Sequence, residues 1–81
     1  MSKIKNAMEM SFLSISEMYP DEYILVKIIE INHENGNTLG IAIYTASSQD
    51  DLDEYAIKEG LINDTIVLQG ENLFPVMGGI I

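Results

Sequence analysis

The chain has 81 residues with 47% hydrophobic content, 13 acidic groups against four lysines, a formal net charge of −9 and no cysteine. That length gives one domain that buries only about 60 to 65% of its unfolded surface; the apolar content is far above that of a disordered acidic tail. Missing cysteine excludes disulfides and thiolate metal sites, a single histidine argues against zinc, and the lack of arginine and of clustered positive charge argues against direct nucleic-acid binding.

Lys3 and Lys5 precede a stretch broken by Asn6, Glu9 and Ser11, which is no export signal and no membrane span. A cytoplasmic protein is expected, with residues 1–10 as a flexible leader and residues 11–81 as a single domain. Phe12, Ile15, Met18 and Tyr19 recur at helical spacing, which predicts a short helix over 12–19 with Ser14 as N-cap, Glu17 as its capping-box partner and Pro20 as its stop.

Residues 23–32 are rich in β-branched side chains and lead into Asn35-Gly36, the strongest short hairpin signal, after which residues 38–45 form a second strand. In the first strand Ile24, Val26 and Ile28 alternate with Leu25, Ile29 and Ile31. A strand apolar on both faces is buried on both, so it is expected at the centre of the sheet. In the second strand Leu39, Ile41 and Ile43 separate by parity from Gly40, Ala42 and Tyr44, and the small pair at 40 and 42 predicts a close-packed neighbour.

Ser48 and Asp51 open a helix that should close at Gly60, a natural left-handed residue beyond the last turn, with Lys58 complementing the dipole. Its apolar stripe is Leu52, Tyr55 and Ala56, and Ile57 falls off it. A third strand follows over 65–69, then a turn at 70–72 and an apolar tail, residues 72–81. The expected fold is a small α+β domain, ββαβ, with a three-stranded antiparallel sheet in the order 2-1-3, one main helix, a short N-terminal helix and a possible fourth C-terminal strand.

Candidate chemistry is sparse. Asp50, Asp51, Asp53 and Glu54 could attract a hard cation, but no ligand loop with a central glycine accompanies them, and a capped acidic helix start explains them. His33 and Glu34 flank a hairpin tip without a nucleophile or oxyanion donor. Gly70 and Gly78-Gly79 lack the spacing and the following Lys-Ser/Thr of a phosphate loop. No catalytic, cofactor-binding or metal-binding residue is therefore assigned.

Tyr19-Pro-Asp-Glu-Tyr23, Gly40-Ile-Ala-Ile-Tyr-Thr45, Asp51-Leu-Asp-Glu-Tyr-Ala56 and Thr65-Ile-Val-Leu-Gln-Gly70, read together, resemble small bacterial domains of unknown function that pair a hairpin with a helix and a last strand. The resemblance spans residues 12 to 79, and it implies a ββαβ core without an assigned activity.

One helix covers one face of such a sheet, so the other apolar face must meet the N-terminal helix, the tail or another chain. The tail places Leu73, Phe74, Val76, Met77, Ile80 and Ile81 at an end that is usually polar. It either folds back to close the core or serves as the interface of a homodimer or of a complex with a protein partner. The expected function is a non-enzymatic interaction domain using the sheet face and the tail. The alternative is an acidic inhibitor or nucleic-acid mimic whose carboxylates occupy a basic protein groove.

Overall fold

The computed structural model describes residues 2–5, 7–31, 38–70 and 72–76. Its elements are β1 (Ser2–Lys3), β2 (Glu9–Ser11), α1 (Phe12–Met18), β3 (Tyr23–Glu30), β4 (Leu39–Ala46), α2 (Gln49–Lys58), β5 (Thr65–Gln69) and β6 (Asn72–Pro75). They form one six-stranded sheet in the order β1-β4-β3-β5-β6, with β2 also paired to β4, and every pairing is antiparallel.

The expected order survives at the centre, where β3 lies between β4 and β5. The count of three strands is corrected to six. β6 supplies the C-terminal strand, and β1 with Glu9 and Met10 of β2 comes from the stretch expected to be a flexible leader. Ser2 and Lys3 pair with Thr45 and Tyr44, and Glu9, Met10 and Ser11 with Ile41, Gly40 and Leu39. These strands occupy the outer side of β4, whose backbone groups would otherwise present an open edge.

The sheet separates two apolar clusters. Leu25, Ala46, Leu52, Ala56, Val67 and Val76 lie on the α2 side, joined by Tyr23, Tyr44, Tyr55 and Phe74. Ile15, Ile24, Val26, Ala42 and Leu68 lie on the α1 side, joined by Ile4, Met10, Phe12 and Tyr19. β3 feeds both: Ile24, Leu25 and Val26 are fully buried, as expected of a central strand with two apolar faces.

Strict alternation fails in β4, and the failure organises the fold. The register passes from Leu25↔Tyr44 to Val26↔Ala42, leaving Ile43 without a partner on β3. This bulge moves Tyr44 and Ala46 to the α2 side while Ala42 stays with α1, so residues of one parity serve opposite faces. Ile43 is held from the other edge, its carbonyl accepting from the Ile4 N–H at 2.9 Å. A second irregularity, between Ile28↔Gly40 and Glu30↔Leu39, leaves Ile29 unopposed. Ile29 and Ile31 are 43% and 55% exposed.

Helix α2 has the caps its sequence advertises. Ser48 is extended and its hydroxyl accepts from the Asp51 N–H at 3.4 Å. At the other end Gly60 has φ +70°, its N–H reaches the Ile57 carbonyl at 3.2 Å, and the Leu61 N–H reaches Ala56 at 2.8 Å, the paired bonds that close a helix through a left-handed residue. Leu52 and Ala56 are fully buried, and Ile57 is 41% exposed, off the stripe.

Helix α1 starts three residues earlier than Ser14 suggested. Its N-cap is Ser11, with φ −68° and ψ 151°, accepting from the Ser14 N–H at 3.2 Å. Ser11 is the last residue of β2, so the strand already supplies the extended backbone a cap needs. Beginning the helix at Phe12 lays that ring over Gly40. A Cβ at Gly40 would stand 2.6 Å from Val26 Cγ1, 2.7 Å from the Lys27 carbonyl oxygen and 2.8 Å from Phe12 Cε1, so the close neighbours expected at this small residue are the adjacent strand β3 and the Phe12 ring.

Candidate functional site

The six tail residues expected to form an interface divide. Val76 is 5% exposed and belongs to the α2-side core. Phe74 is half-buried on the same side, its ring centroid 6.2 Å from that of Tyr23. Leu73 points the other way, since it pairs with Leu68 of the α1-side cluster, and it is 49% exposed. Met77, Ile80 and Ile81 lie outside the described residues. One end of the tail thus helps close a core, and only Leu73 of the described three offers a large free apolar surface.

Four of the seven exposed large apolar side chains among the described residues border α1, while Ile29 and Ile31 lie at the end of β3 and Ile57 on α2. The inner side of α1 presents Ile15 and Ser16, both buried, beside half-buried Phe12 and the half-buried cap residue Tyr19, with the Ser16 hydroxyl donating to the Leu13 carbonyl at 2.9 Å. Its outer side carries Leu13 and Met18, 59% and 54% exposed, and Met8 beside it is 63% exposed. Two depressions flank the helix. One, of about 80 Å³, is lined by Ile4, Met8, Met10, Met18, Tyr19 and Ala42 among others; the second, of about 210 Å³, lies between Phe12, Leu13, Thr38, Leu68 and Leu73.

Three of the chain's five methionines, at 8, 10 and 18, line the first depression. Thioether side chains are unbranched and polarizable, so such a surface adapts to more than one apolar shape. Sequence reasoning placed the surface on the tail because residues 1–10 were set apart as a leader and Met18 was assigned to the buried stripe.

The α2 side offers polar chemistry of another kind. The Tyr44 and Tyr55 rings lie tilted against each other, centroids 4.3 Å apart at 48°. Hydrogen bonding with the Tyr44 side chain pushes the Tyr55 phenol above its ordinary value, with burial and the Glu59 charge acting in the same direction. Burial raises the Asp53 carboxyl, the Asp50 charge adds to this, and a hydrogen bond from Gln49 partly opposes it. Asp53 Oδ1 is shielded from solvent and lacks a hydrogen-bond partner.

Asp50, Asp51 and Glu54 are exposed along α2. Among the described residues, no group of three or more His, Asp or Glu is placed to hold a metal ion, and no helix is long and apolar enough to cross a membrane. His33 and Glu34 lie outside the described residues.

No protein-family model, curated protein or solved structure matches the chain.

Proposed function

We propose that this domain is a non-enzymatic interaction module that docks a different protein on its α1 face. The observation that carries the reading is the gathering of Met8, Leu13, Met18 and Leu73, each about half exposed or more, around two apolar depressions. Monomeric domains seldom leave neighbouring large apolar side chains uncovered without a binding role. A second copy of the chain is the less favoured occupant, because pairing two bodies of charge −9 sets like charge against like.

The test is selection of displayed peptides on the purified domain, with counter-selection on Leu13→Asp. Leu13 is exposed, so the variant should retain its urea midpoint. Peptides with apolar anchors should be enriched on the original domain and lost on the variant. Absence of any Leu13-dependent enrichment would sink the reading. So would a solution mass by light scattering that is twice the chain mass and halves in Leu13→Asp, because the occupant would then be a second copy.

The reading as an acidic inhibitor or nucleic-acid mimic places its contacts on Asp50, Asp51, Asp53 and Glu54 instead. It requires binding to be lost when these four are neutralised and kept in Leu13→Asp.

A further inference from the structure

The charge around the α1 face narrows the partner. Helix α1 and the turn after it, residues 12–22, carry Glu17, Asp21 and Glu22 without a lysine or arginine. Glu17 follows Leu13 by one helical turn and, like Leu13, is exposed on α1; Asp21 and Glu22 are exposed in the turn after it. Lys5 is the cation lining the methionine depression, and the whole chain remains at −9. An acidic partner segment would meet repulsion on approach, and a cationic one would be steered in.

Resting on the reading of α1 as the docking face, we infer that the occupant is an amphipathic helix with apolar anchors and lysine or arginine flanks. The two depressions lie on opposite sides of α1, and a helix with its side chains is about 10 Å wide. A partner helix crossing α1 presents residues i and i+7 about 10 Å apart along its axis. Such a helix carries two large aliphatic or aromatic anchors, one for each depression, and the methionines accommodate either shape. The flanking cations then fall toward Glu17, Asp21 and Glu22. Apolar anchors supply the lifetime of such a complex, and the charges supply its rate of formation and its choice of partner.

Three labelled synthetic helical peptides test this by fluorescence anisotropy on the full chain: two leucine anchors seven apart with lysine flanks, the same anchors with glutamate flanks, and alanines at the anchors with lysine flanks. The first should bind, weaken roughly tenfold between low and high salt as its charges are screened, weaken several-fold on the triple change Glu17→Gln, Asp21→Asn, Glu22→Gln, and be lost on Leu13→Asp. The glutamate-flanked peptide should bind at least about tenfold more weakly, and the alanine peptide should not bind.

If both leucine peptides bind equally and depend on Leu13, docking stands and the cationic partner is refuted. Equal binding of the alanine and leucine peptides with lysine flanks would mean adhesion by charge alone and overturn the inference. If none binds in a Leu13-dependent way, the docking reading falls with it.

Discussion

The two faces of the sheet differ in how completely they are covered. α2 has ten residues and is about 15 Å long, whereas α1 has seven and is about 10 Å long, against a sheet whose strands lie about 4.8 Å apart. α2 therefore closes its side with Leu52 and Ala56 fully buried against Leu25 and Val67. α1 buries Ile15 but leaves depressions on both flanks and Leu13 and Met18 half exposed. Both faces carry a buried cluster, and the α1 side leaves more apolar surface exposed.

The sharpest way to break that contrast is to remove one leucine from each helix. Leu52→Ala should cost about 3 kcal/mol, within the range for buried leucines that leave a cavity. Leu13→Ala should stay within about 0.5 kcal/mol, as exposed positions do. Urea denaturation of both measures the difference, and equal losses would show that the α1 face is packed as tightly as the α2 face.

Gly40→Ala comes next. The added methyl would meet Val26, the Lys27 carbonyl and the Phe12 ring at 2.6 to 2.8 Å, and the backbone oxygen cannot move away as a side chain can. A loss of about 1 to 3 kcal/mol is expected. Pairing the change with Phe12→Leu should recover part of the loss if the ring is a main obstacle; no recovery would place the strain in the β3 backbone. Ser48→Ala should cost about 1 kcal/mol through the α2 cap, while leaving peptide binding at the α1 face unchanged.

Such contrasts also show which features were legible in the sequence. The caps of α2 are local chemistry, so Ser48 and Gly60 could be read directly. The centrality of β3 followed from apolar residues at Ile24, Leu25 and Val26 alike. The bulge at Ile43 could not be read, because nothing in an unbroken Leu-Gly-Ile-Ala-Ile-Tyr run marks the residue that loses its partner; the tie from Ile4 to its carbonyl is a long-range fact.

β1 and β2 were hidden for the same reason. Ser2, Lys3, Glu9 and Ser11 have little strand propensity, and they become strands by completing the outer side of β4. The division of the tail into Leu73 on one side and Phe74 with Val76 on the other is ordinary period-two alternation. It was obscured by treating residues 72–81 as one apolar block.

The smallest expected effect concerns pH on the α2 side. Asp53 is raised above the ordinary 3.8, first by burial and then by Asp50. An acid whose folded pKa is raised is harder to ionise in the folded state, so its charge opposes folding above that pKa. As pH falls below the raised folded value the penalty shrinks, and it is gone only below 3.8, where the group is neutral in both states. Asp53→Asn should therefore be slightly more stable than the original chain at neutral pH, by no more than about 0.5 kcal/mol because Asp53 is largely solvent-screened.

That advantage should fade as the pH is lowered toward 3.8, which paired urea midpoints across the range would register. An advantage constant with pH would assign the gain to the shielded Oδ1 and its missing partner rather than to charge. The corresponding change on the α1 side, Glu17→Gln, should alter binding of the lysine-flanked peptide and leave the urea midpoint almost unmoved. Those two outcomes together would assign the Asp53 charge to folding and the Glu17 charge to association.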